Sequence, residues 1–217
     1  MNPLVRHEVA RYARKLHAAG WIANHDGNVS ARAGHGRIVI TPTSISKADA
    51  DEATLVLVDL GGRVLEGTKK PPSEVELHLA VYRARPDVEA VIHAHPPTAT
   101  GFGVAGVELG TPPLPEAVVS LGKIPSAPFA MPKAPEAAHG VAKLAAEHDA
   151  MLLPGNGALT LGETLEQAYL RMELVEHCAK IELVARQLGG ARSLGAEQVA
   201  SLLEARRKAG LGPRRTA

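Results

Sequence analysis

Apolar positions along the chain follow two rhythms, one helical and one extended. Val5, Val9, Tyr12 and Leu16 recur every three or four residues, with Arg6, Arg11, Arg14 and Lys15 mostly elsewhere, which predicts an opening amphipathic helix stopped by Gly20. Gly27-Asn28-Val29-Ser30 predicts a tight turn into a short strand, and Ile38-Val39-Ile40 and Leu55-Val56-Leu57-Val58 read as strands. Between Asp59 and Leu65, Gly61-Gly62 supplies the positive φ angles of a hairpin turn. Ser73 and Glu76 have capping-box spacing and predict a helix from there to about Arg85, ended by Pro86. The short run Val88-Glu89-Ala90-Val91-Ile92 closes on His93-Ala94-His95 and Pro96-Pro97, a strand bounded by prolines.

Residues 101–135 are rich in Gly and Pro and read as short strands and loops, followed by a helix over 134–148. Met151-Leu152-Leu153 and Ala158-Leu159-Thr160-Leu161 read as strands flanking Pro154-Gly155-Asn156-Gly157. Leu165, Ala168, Met172, Val175, Ala179 and Leu183 mark the buried stripe of a long helix stopped by Gly189-Gly190, and a last helix occupies roughly 196–208. With no internal repeat, low-complexity tract or linker, the pattern predicts one α/β domain spanning 1–217, its helices covering a sheet.

Composition narrows the function classes. The 217 residues carry a net charge of +1 and only 3% aromatic residues, so neither charge nor stacking surface points to nucleic acid or an anionic membrane. A chain of this length buries roughly 70% of its unfolded surface and needs no disulfide or structural metal to fold. Cys178 is the only cysteine and lies in a helical pattern, as a small core hydrophobe would. Without an apolar leader at Met1 or a run long enough to span a bilayer, the chain reads as soluble, in a reducing cytoplasm. Arg206, Arg207, Lys208, Arg214 and Arg215 make the end basic, as a solvated terminus would be.

The candidate chemistry sits in the His-x-His strand. Alternate side chains of a strand share a face, so His93 and His95 point the same way as Val91, and two adjacent imidazoles suit a borderline-soft divalent metal. Glu74 adds a carboxylate where a helix begins, and a metal pair plus one acid is a plan for polarising a carbonyl and moving a proton. Read without that context, His-x-His is also met in hydrogen-bonded interiors, and Glu74 is a first-turn acid favoured by the helix dipole. Of the scattered histidines, His25 precedes the Gly-Asn turn and faces the same region in this reading; His78 belongs to the solvated or structural group.

Together these segments resemble the class II aldolase and adducin family. The likeness rests on Gly27-Asn28-Val29-Ser30, Ile40-Thr41-Pro42-Thr43-Ser44, Ser73-Glu74, His78-Leu79-Ala80-Val81-Tyr82, Val91-Ile92-His93-Ala94-His95, Gly155-Asn156-Gly157 and the helix with Glu173 and Glu176, a core of about residues 5–186. The resemblance implies a three-layer α/β/α fold around a mixed, largely antiparallel sheet, usually as a homotetramer. It implies a divalent metal, zinc first, with Mn, Co or Ni as alternatives, that stabilises an enediolate formed from a sugar phosphate or related acid. His93 and His95 would be metal ligands, Glu74 the catalytic acid/base, and Asn28, Thr43, Ser44 and Ser73 the phosphate-facing set.

Two departures bear on the chemistry. The family's third histidine ligand falls on Asn156, a weaker neutral oxygen donor, and His177 is an alternative source of that ligand. Pro72 replaces one of two serines before the glutamate and offers neither hydroxyl nor N–H to a phosphate. The sequence therefore predicts a metal-dependent aldolase-type lyase acting on a small hydroxylated carbonyl compound. A non-catalytic adducin-like module, or an epimerase, dehydratase or decarboxylase using the same site, stays open.

Overall fold

The computed structural model describes residues 3–131, 133–190 and 192–214; Met1, Pro132 and Arg215 lie outside it. Seven helices and seven strands follow in chain order: α1 (Pro3–Ala18), β1 (Asn28–Arg32), β2 (Arg37–Ile40), β3 (Val56–Asp59), β4 (Val64–Glu66), α2 (Val75–Ala84) and β5 (Ala90–Ala94) lead. After them come α3 (Pro97–Val104), α4 (Pro115–Leu121), α5 (Pro135–Ala145), β6 (Ala150–Leu152), β7 (Ala158–Gly162), α6 (Leu165–Gln187) and α7 (Ala196–Lys208) among the described residues.

The strands form one sheet in the order β4-β3-β2-β1-β5-β7-β6. Alternation along each strand divides its side chains between two cores. One face, with Val29, Ala31, Ile92 and Ala94, packs under α1, α3 and α6; the other, with Ile38, Val91, Leu159 and Leu161, packs under α2 and α5. The α/β fold and the three layers expected from sequence are therefore present. The sheet itself is antiparallel at every named strand pair rather than mixed, and the parallel pairing recorded is the isolated bridge Ser126–Leu152.

Three local expectations change. The stretch read as short strands and loops holds the end of α3 and all of α4, because Pro97 and Pro115 stand in the first helical turn, where the missing N–H costs nothing and φ is already helical. The capping box does not form: α2 begins after Glu74, and Glu76 pairs with Arg83 instead of reaching back to Ser73. Pro72 shapes this entrance, its carbonyl accepting the Val75 N–H at 3.1 Å. Along α6 the stripe is buried from Leu165 to Ala179, but Leu183 is exposed.

Two buried carboxylates tie the helices in place, Glu176 within one layer and Asp149 between layers. Glu176 on α6 accepts the backbone N–H groups of Thr98 at 3.0 Å and Ala99 at 2.9 Å, so one helix caps another directly after the His-x-His strand. Asp149, fully buried before β6, meets Arg85 at 3.1 Å, Arg171 at 3.0 Å and Arg206 of α7. The remaining guanidinium donors reach Asp87 and the carbonyls of Ala145, Leu161, Val119 and Ser120. A buried ion cluster stabilises only when it is complete, since removing one partner strands the others.

Asp149→Ala should accordingly cost about 3–5 kcal/mol in denaturant unfolding, because three guanidinium groups lose their shared acceptor. A loss under about 1 kcal/mol would show that solvent, not Asp149, balances those charges.

Candidate active site

The site is assembled on β5, a central strand flanked by β1 and β7. Register sets Asn28 opposite His93 on one side and Leu159 opposite His93 on the other. Two glycines let neighbouring turns approach this strand. Gly27, at φ +65°, lies where a Cβ would stand 2.9 Å from the His93 carbonyl; Gly157, at φ +77°, lies where a Cβ would collide with the Ala94 carbonyl and the His95 ring. The close approach of the Gly155-Asn156-Gly157 turn brings Asn156 to the histidines. Glu74 arrives from the other layer, at the start of α2.

Glu74, His93 and Asn156 form one hydrogen-bonded cluster. The His93 Nδ1 lies 3.1 Å from Glu74 Oε2 and 3.3 Å from Asn28 Oδ1, and its Nε2 lies 2.7 Å from the Asn156 carbonyl. The Asn156 side-chain NH2 donates to Glu74 Oε1 at 2.6 Å. Burial opposes ionisation of Glu74, but the His93 charge and the hydrogen bonds from His93 and Asn156 outweigh it and hold the carboxyl well below its usual range. Burial also opposes the His93 cation, yet the Glu74 carboxylate raises His93 above an ordinary histidine.

His95 sits 5.1 Å from His93, ring centroid to ring centroid. Burial, then the His93 charge, lowers its pKa; its Nδ1 lies 3.7 Å from Asp26, while its buried Nε2 has no hydrogen-bond partner. An orphaned buried imidazole nitrogen beside a second imidazole and a carboxylate has the donor chemistry of a divalent-cation site. The donors fit such an ion in kind, although among the described residues no three His, Cys, Asp or Glu side chains converge as a ready-made cage.

The phosphate-facing candidates lie on adjoining loops. Thr43 and Ser44 follow β2, with Ser44 at φ +60°, and the Thr43 N–H donates to the Lys70 carbonyl at 3.1 Å. That bond ties their loop to the segment leading into exposed Ser73 and Glu74. Asn28 is buried and spends its side-chain oxygen on His78 and His93. Buried Lys47 donates to the His25 carbonyl at 2.7 Å, and burial lowers its ammonium to about 8 against the pull of Asp26 and Glu74. His25 and His177 are exposed, whereas Cys178 is buried and pushed up to about 11 by that burial.

The sequence reading undervalued His78. It is fully buried beneath α2, with Nε2 at 3.0 Å from Asn28 Oδ1 and Nδ1 at 2.7 Å from Ser30 Oγ; that oxygen lies 2.8 Å from the Tyr82 hydroxyl. Burial lowers His78 to about 3, so it is neutral here. The available signal was Glu74, His78 and Tyr82 at successive four-residue steps, one face of a helix.

Comparison with known proteins finds relatives across most of the chain. The model of the Class II Aldolase and Adducin N-terminal domain matches residues 7–183. The chain is 33% identical over 181 residues to the 3-oxo-tetronate 4-phosphate decarboxylase of Escherichia coli K12, covering 82% of this chain and 85% of that protein. It is 33% identical over 176 residues to the L-fuculose phosphate aldolase of Methanococcus vannielii, covering 80% and 93%. A solved L-fuculose 1-phosphate aldolase superposes with a TM-score of 0.86 at 30% identity, covering 92% of this chain and 94% of that one.

In metal-free protein, Glu74→Gln should lower the His93 pKa, because the opposing carboxylate goes and burial stays; histidine NMR titration reads this directly. The raised pKa gives wild type a stabilisation fully present below about pH 6.5, the unfolded value, and lost as pH rises through the folded pKa. A His93 titration unmoved by the substitution would detach it from Glu74.

Proposed function

The chain belongs to the class II aldolase and adducin family, and from that premise we propose that it is a divalent-metal-dependent lyase. Its reaction cleaves or forms a carbon–carbon bond beside a carbonyl in a small, hydroxylated, phosphorylated substrate. The observation that supports this best is the meeting of Glu74 with His93, His95 and Asn156. Glu74 and Asn156 also line a cavity whose other walls are Lys133 and apolar residues such as Leu77, Val141 and Leu153. His93 and His95 would hold the cation, zinc in the first instance or Mn, Co or Ni, with the Asn156 oxygen as a weak further donor. Bound there, the cation supplies a Lewis acid for the negative charge that builds on the substrate's carbonyl oxygen.

The chain's own groups handle the protons. In the cleavage direction Glu74 takes the proton of the hydroxyl beside the scissile bond, the bond breaks into an aldehyde and a carbanion delocalised onto oxygen, and a proton is returned to carbon. Glu74 is a weak base while His93 and Asn156 both donate to it. A substrate that displaces either contact raises its basicity when it is needed. Thr43, Ser44 and Ser73, with Asn28 behind them, are the proposed grip on the phosphate. Pro72, turned to shaping the entrance of α2, leaves that grip one hydroxyl short.

A second reading, decarboxylation of a phosphorylated 3-oxo acid, is favoured by the E. coli relative of equal identity. There carbon dioxide leaves in place of the aldehyde, and the carbanion left behind takes its proton from water, delivered through Glu74. Product analysis separates the two, since one releases an aldehyde and the other carbon dioxide. Exposed Val104, Leu183 and Leu188 support a homo-oligomer, tetrameric as the family suggests, and a single cysteine suits a reducing cytoplasm.

Replacing His93 and His95 together by Ala should abolish stoichiometric zinc binding in calorimetry while circular dichroism stays native. Wild-type protein that takes up no divalent metal at micromolar concentration would remove the metal-enzyme reading. Glu74→Gln should lower turnover by roughly 10² or more on whichever phosphorylated substrate is cleaved, and undiminished turnover would make Glu74 structural.

A further inference from the structure

We propose that the buried chain Tyr82–Ser30–His78–Asn28 is a positioning device that fixes the His93 ring and keeps a proton on its Nδ1. Asn28 and Ser30 sit two apart on β1, sharing the face that carries His93 on β5, and α2 lays His78 and Tyr82 over them four residues apart. The distances close a continuous path of 2.8 Å, 2.7 Å, 3.0 Å and 3.3 Å from the Tyr82 hydroxyl to His93 Nδ1.

The chain has one consistent direction. The Tyr82 O–H donates to Ser30 Oγ, and the Ser30 O–H donates to the His78 Nδ1 lone pair. A neutral imidazole accepting at Nδ1 carries its proton on Nε2 and donates it to Asn28 Oδ1. That bond holds the carboxamide with its oxygen toward β5, where it meets His93 Nδ1. His93 Nδ1 then faces two acceptors, Asn28 Oδ1 and Glu74 Oε2, and must donate.

The two acceptors differ in permanence. Glu74 loses acceptor strength whenever it takes a proton in the proposed reaction, whereas Asn28 is held from behind and never does. Asn28 therefore keeps the ring oriented through the step in which Glu74 cannot. A ligating histidine is commonly fixed through its other ring nitrogen in this way. This functional meaning rests on the metal-lyase reading above, but the proton positions do not.

Long-range 1H–15N NMR of metal-free, histidine-labelled protein at neutral pH tests the positions first. The expected result is His78 neutral with its proton on Nε2, and His93 protonated at Nδ1; a proton on His78 Nδ1, or a bare His93 Nδ1, overturns the inference. Ser30→Ala is expected to redistribute the His78 tautomers, shift the His93 signals, and weaken zinc binding by roughly 10- to 100-fold. Tyr82→Phe does the same more weakly and replaces Ser30→Ala if that variant does not fold. His93 signals unmoved by a folded variant, or moved with unchanged zinc affinity, overturn it. If wild type binds no zinc, the metal reading falls by itself, and the tautomers with the variant-induced His93 shifts decide the positioning chain alone.

Discussion

The antiparallel register of β1 on β5 is the constraint on which the site depends. Opposing Asn28 to His93 places every second residue of both strands on one face, and only the helix packed over that face can reach them. A slip of one residue would send His93 into the core under α1 and α6 and bring Ile92 to face Glu74 and His78. The register is secured by the strength of its alternative contacts: Val29, Ala31, Ile92 and Ala94 are all buried on the opposite face. Hydrophobic burial on one side of the sheet thus fixes polar chemistry on the other.

Much of this was legible before any coordinates. Helical and alternating periodicities located α1, α2, α5, α6 and most strands, because each buries apolar residues on one face; α7, whose one buried side chain among the described residues is Arg206, was also placed. The His-x-His pair and Glu74 suggested a site by residue type, the family resemblance added Asn156, and the fold brings them together. What escaped was whatever depends on partners distant in sequence. Pro97 and Pro115 look like breakers until a neighbouring layer makes a helix worthwhile, and for α3 that support includes Glu176, 78 residues beyond Thr98. The capping box at Ser73 failed because Arg83 competes for Glu76. His78 carried only its helical spacing from Glu74 and Tyr82 until β1 supplied Asn28 and Ser30 beneath it.

Asn156 illustrates how a substitution is read differently in three dimensions. From sequence it is a histidine lost from a ligand set. In the fold its backbone carbonyl and side-chain amide both serve the cluster, one facing His93 and the other Glu74. The turn contributes as much through main chain as through side chain, which no inspection of residue types reveals. The same cluster explains why Glu74 stays ionised despite burial: His93 and Asn156 supply what water would have.

The Asp149 node has a consequence for how the chain is delimited. The match to the family model ends at residue 183, yet Arg206 lies 23 residues further and enters the same buried ion cluster. The boundary drawn by resemblance is therefore not the boundary of cooperative folding. During synthesis the sheet, α2 and α6 can assemble around Asp149 with two of its three guanidinium partners, but the node stays open until α7 has left the ribosome. Completion of the fold is in that sense deferred until α7 emerges, and a nascent chain paused before Arg206 carries an unfinished seam between its layers.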